Sequence, residues 1–83
     1  MTFGERVHLI RRRQKMTQQA LADAIGVSKA TIFRIEKGDF GDVKGQTVAR
    51  MAKVLNVSAD YLLGLKPNPE PLYEVVEENL RRK

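Results

Sequence analysis

The sequence has no cysteine, a single histidine, and only three prolines, all between residues 67 and 71. Without cysteine there is neither a disulfide nor a thiolate metal site, which suits a reducing cytoplasm. The one histidine, His8, has no acidic cluster at metal-ligand spacing to join, so no metal and no cofactor is expected. No apolar run approaches the roughly 18 residues that a membrane span needs. The opening MTFGERVHLIRRRQK lacks the apolar core of a signal peptide, so neither membrane nor secretion is expected. β-Alternation, internal repeats and a phosphate-binding glycine loop are likewise missing. Ser28 and Ser58 are explained as helix caps, and no reactive constellation is left to support an enzyme.

What is present is positive charge, unevenly placed. The 83 residues carry a net charge of +5. Residues 1 to 66 hold 12 Lys/Arg against 6 Asp/Glu, a net +6, and residues 67 to 83 hold 3 against 4, a net −1. The length allows one small domain, 1–66, and a tail, 67–83. A domain of this size buries only about 60% of its unfolded surface, so its stability should be modest. A basic domain attracts polyanions, although an ordinary solvated basic surface would have the same charge.

The apolar pattern is helical throughout, predicting an all-α, five-helix domain. Phe3, Val7 and Ile10 give a first helix from about Thr2 to Lys15 the i, i+4, i+7 spacing of a buried face. Thr17 is a natural N-cap for a second, Gln18 to Ile25, with Ala20, Leu21, Ala24 and Ile25 as its stripe. Gly26 should end that helix in the left-handed conformation. Ser28 caps a third, Lys29 to Lys37, with Ile32 and Ile35 inward. A glycine-rich loop, Gly38 to Gln46, precedes a fourth helix starting near Thr47, which buries Val48, Met51, Ala52 and Leu55. A short fifth, capped by Ser58, turns Tyr61, Leu62 and Leu65 inward. Helix, glycine turn, helix is the arrangement of a DNA-binding helix-turn-helix.

The run TQQALADAIGVSKATIFRIEKG, with RVHLIRRRQKMTQQALA before it and TVARMAKVLNVSADYLLG after, resembles the lambda-repressor and Cro type of helix-turn-helix, also called the xenobiotic-response-element type. The likeness extends over about residues 3 to 65, and all three pieces fit in order and spacing. The resemblance implies that Lys29, Ala30 and Arg34 face the major groove. Arg34 could then donate twice to a guanine, the Ala30 methyl could meet a thymine methyl, and Lys29 could touch a base or a phosphate. Phe33 shares that face where the family usually has a small polar residue. It either packs on thymine methyls or folds back on the domain.

Phosphate contacts are expected from Thr17 and Gln18, at a helix N-terminus where amides bind anions, and from Ser28, Lys37 and Lys44. The family implies that Gln18 holds a backbone phosphate. The family also implies that Arg11 pairs with Glu36, a carboxylate at the unfavourable end of its helix. The segment after Gly38 departs from the pattern. It reads DFGDVKGQ, with Asp39 and Asp42, and Lys44 as its only base, so it should contribute less to phosphate binding.

From Glu70 the tail turns helical, with acids early and bases late, and with Leu72, Val75, Val76 and Leu80 as an apolar stripe. So short a helix is marginal alone in water. It should pack on its own domain or build a homodimer interface. The reading that follows is a cytoplasmic transcription regulator, a dimeric repressor on a double-stranded, (pseudo)palindromic operator. The alternative is an antitoxin-like module that neutralises a protein partner through its tail and autoregulates its own promoter.

Overall fold

The computed structural model describes residues 1–39, 43–67 and 69. Among these there are five α-helices and no strand: α1 (Phe3–Arg13), α2 (Gln18–Ile25), α3 (Lys29–Glu36), α4 (Gly45–Leu55) and α5 (Ala59–Leu62). The proposed tail helix, with Leu72, Val75, Val76 and Leu80, lies outside the described residues, as do Phe40, Gly41 and Asp42.

Local chemistry sets most of the helix ends. Thr2 and Glu5 form a reciprocal capping box at α1: the Glu5 amide donates to Thr2 Oγ1 at 3.2 Å and the Thr2 amide to Glu5 Oε1 at 2.9 Å. Those hydrogen bonds, the backbone one first, hold the Glu5 carboxyl below its ordinary value. Arg11, Arg12 and Arg13 fill the last turn, where positive charge suits the helix dipole. Thr17, Ser28 and Ser58 each accept an amide at the start of α2, α3 and α5. Gly26 closes α2 at φ 77, a left-handed conformation that glycine adopts without a Cβ penalty.

The core is one cluster to which every helix contributes. Val7 and Ile10 come from α1, Leu21, Ala22 and Ile25 from α2, and Ile32 and Ile35 from α3. Met51, Ala52 and Leu55 come from α4, and Tyr61 and Leu62 from α5. α2 packs on α3 and α4, α1 on α3 and α5, and α4 on α5. Where α1 crosses α3 the backbones nearly touch. A Cβ built on Gly4 would stand 2.1 Å from the Ile35 carbonyl oxygen.

Three details differ from the sequence pattern. In α2 the buried alanine is Ala22, while Ala20 and Ala24 are exposed. The apolar stripe of an eight-residue helix with three alanines has no unique phase, and packing on α3 and α4 chooses it. α4 begins at Gly45, two residues before Thr47, behind Lys44, whose side chain makes no cap hydrogen bond. Leu65 is 72% exposed instead of inward, because α5 ends at Leu62 and the chain turns at Gly64, φ 82.

Candidate nucleic-acid interface

Ile32 and Ile35 anchor α3 to the core, and the helical period then turns the other side of α3 to solvent. Lys29, Ala30, Phe33, Arg34 and Lys37 are all exposed there. Phe33 is not part of the core cluster. It keeps 50% of its surface, and Lys37 Nζ lies 5.6 Å from its ring centroid, a cation–π contact. The α3 face thus combines two cations at its ends, an arginine, a methyl and an aromatic ring.

The neighbouring groups come from helix starts. Ser28 Oγ accepts the Thr31 amide at 3.2 Å and bonds Thr31 Oγ1 at 2.9 Å. Thr17 Oγ1 accepts the Ala20 amide at 3.0 Å, and the residue remains exposed. Both hydroxyls serve as caps first. Lys44 is exposed at the start of α4.

Glu36 binds these elements together. Its side chain is only 5% exposed, and that of Arg11 is 10% exposed. Arg11 grips it bidentately, with Nε to Oε2 at 2.7 Å and Nη2 to Oε1 at 3.0 Å, while Nη1 donates to the Met16 carbonyl at 2.7 Å. Gln18 Nε2 donates to Oε1 at 3.2 Å, and His8 Nδ1 lies 2.8 Å from the same oxygen. Burial pushes the Glu36 carboxyl up. The hydrogen bonds from Arg11, His8 and Gln18, with the Arg11 charge, outweigh that and hold it below its ordinary value. A carboxylate at the C-terminal end of α3 is therefore tolerated because α1 and α2 supply its donors. Gln18 is half-buried against this network, so its amide is oriented from inside the protein.

His8 is the group that sequence pattern passed over. It lies on the exposed side of α1, but also three residues before Arg11, hence on the same stretch of helix surface. That spacing was the available signal. His8, Leu9, Gln18, Phe33 and Lys37 line one open groove of about 540 Å³ between α1 and α3. Among the described residues no group of His, Asp or Glu could hold a metal ion, and no helix is long and apolar enough to cross a membrane.

The helix-turn-helix family matches over residues 7–62. The chain is 34% identical over 76 residues to the HTH-type transcriptional regulator RghRB of Bacillus subtilis (strain 168), covering 92% of this chain and 55% of that protein. It is 37% identical over 62 residues to the HTH-type transcriptional repressor RghR of the same organism, covering 75% and 46%. The chain thus spans about half the length of these curated relatives. Among solved structures it is similar to the c2 repressor of phage P22 in complex with a synthetic operator. The TM-score is 0.73 at 32% identity, over 80% of this chain and 98% of that one.

Proposed function

The chain belongs to the helix-turn-helix family, and from that premise we propose that it is a cytoplasmic transcription regulator, a dimeric repressor that binds double-stranded DNA in a sequence-specific way. The observation that carries this reading is the outward face of α3. Lys29, Ala30, Phe33 and Arg34 stand exposed on a helix whose opposite side is locked into the core. Support comes from the P22 c2 repressor, which shares this fold and was solved with a synthetic operator.

In this reading α3 enters the major groove. Arg34 donates two hydrogen bonds to guanine O6 and N7, and Ala30 and Phe33 meet thymine methyls. Lys29 reaches a base edge or the adjacent phosphate. Thr17, Gln18, Ser28, Lys37 and Lys44 line the phosphates to either side, with the amide-rich starts of α2 and α3 adding favourable dipoles. One such helix reads only a few base pairs, so two copies spaced about 34 Å apart supply the rest of the specificity. Repression follows from occupancy: protein on an operator that overlaps a promoter excludes polymerase.

Selection of bound duplexes from a random-sequence pool tests this. Wild type should enrich a (pseudo)palindrome whose half-sites are about one helical turn apart. Arg34→Ala should relax the preference at one base pair per half-site and cost roughly 1 to 3 kcal/mol. Gln18→Ala should weaken all sequences evenly, because phosphate contacts carry no sequence information. A wild-type pool that stays random after repeated rounds sinks the proposal.

A further inference from the structure

Among the described residues, Glu36 Oε1 receives three donors, His8 Nδ1 at 2.8 Å, Arg11 Nη2 at 3.0 Å and Gln18 Nε2 at 3.2 Å, while Oε2 receives Arg11 Nε. A carboxylate oxygen offers about two lone-pair sites. The three donors therefore compete, and the longest of the bonds is the one to Gln18. The tautomer of His8 follows from its partner. An ionised carboxylate only accepts, so Nδ1 carries the hydrogen and Nε2 is the nitrogen that gains a proton. Arg11 Nη2 also lies 3.2 Å from Nδ1, but cannot donate to a nitrogen that already carries a hydrogen.

We propose that His8 is a positioning residue of the DNA interface, acting through Glu36 on Gln18, and that DNA binding is coupled to its protonation. This rests on the DNA-binding reading above. Protonation puts charge on both partners of the His8–Glu36 hydrogen bond and strengthens it. The crowded oxygen then holds Gln18 less tightly, and the Gln18 amide turns its N–H groups to a phosphate. The same proton adds a positive charge to the groove that His8 shares with Gln18 and Lys37. Both effects favour DNA, so affinity rises as pH falls through the His8 titration. By reciprocity, bound DNA raises the proton affinity of His8. Among the described residues, the charged groups that share the groove or the hydrogen bonds of His8 are Glu5 and Arg11 from α1, Glu36 and Lys37 from α3, and the Met1 end of the chain, and α2 contributes the neutral Gln18.

The chain contains one histidine, so a single imidazole signal reports the event in wild-type protein. The ring is titrated by NMR between about pH 5 and 8, free and with a mixed-sequence duplex. The titration midpoint should move up when DNA is present; an unmoved midpoint overturns the proposal. Affinity for the same duplex is measured across that range for wild type and His8→Asn, whose amide nitrogen takes the place of Nδ1 as a donor to Glu36 but gains no proton. Wild type should bind on the order of fivefold tighter at the acid end, and His8→Asn should lose that gain. Equal pH dependence in the two proteins overturns the coupling. Absence of duplex binding at every pH instead removes the DNA-binding reading beneath it.

Discussion

At the scale of single residues, Glu36 is where the domain is most exposed to chemical change. It is nearly buried, and its charge is neutralised by a residue from another helix. Removing one partner of such a pair strands the other. Arg11→Ala and Glu36→Ala should therefore each cost about 3 kcal/mol or more, while the double variant should cost much less than their sum. Urea melts of the four proteins measure this, and simple additivity would show that the two charges do not interact. The depressed Glu36 carboxyl adds a pH signature. A group whose folded value is lowered contributes stability that is complete above its ordinary value, 4.5, and disappears as pH falls through the lower folded value. Wild type should lose stability across that window, and Glu36→Gln, already weakened at neutral pH, should lose less.

At the scale of elements, two glycines set the geometry in different ways. Gly4 lets α1 lie against the backbone of α3, with the Ile35 carbonyl oxygen 2.1 Å from where a Cβ would sit. Gly26 has open space around its Cβ position but a backbone at φ 77. Gly4→Ala should force α1 off α3 and cost about 1 to 3 kcal/mol as overpacking. Gly26→Ala should cost roughly 1 to 2 kcal/mol as backbone strain. The two separate by the His8 imidazole NMR signal. Gly4→Ala shifts the contact between α1 and α3 and should move it, and Gly26→Ala should leave it in place. A Gly4→Ala protein as stable as wild type would mean that this close approach relaxes freely. The elements were legible in the sequence to the extent that side chains mark them. Thr17, Ser28 and Ser58 announce caps, Gly26 announces an end, and Ile32 and Ile35 fix the face of α3. The start of α4 was not legible, because Lys44 caps with backbone alone and Gly45 favours no helix. Thr2 and Glu5 had the spacing of a capping box that apolar periodicity does not register. The His8–Glu36 hydrogen bond had a single signal in the sequence, the three-residue spacing to Arg11, because Glu36 is 28 residues away on another helix.

At the scale of the whole molecule, charge is segregated, with a net +6 over residues 1 to 66 and −1 over the remainder. That asymmetry makes salt the sharpest probe of how many copies meet the DNA. The logarithm of affinity falls against the logarithm of salt concentration with a slope near −0.9 for each phosphate neutralised. Two copies that together touch roughly 6 to 10 phosphates should lose about a thousandfold or more in affinity between 50 and 200 mM salt. A single copy would show about half the slope. The slope for residues 1 to 83, measured by fluorescence anisotropy on a selected operator, should correspond to the pair. A response flat in salt would remove the electrostatic basis of binding altogether. Deleting residues 67 to 83 then examines the stripe of Leu72, Val75, Val76 and Leu80. The deletion removes three bases and four acids and leaves the charge of the domain unchanged. If the tail builds the dimer, the truncated protein should sediment as a monomer with preserved helix content, and its slope should drop towards the single-copy value. If it instead covers its own domain, the truncated protein should keep the dimer slope and melt at a lower temperature.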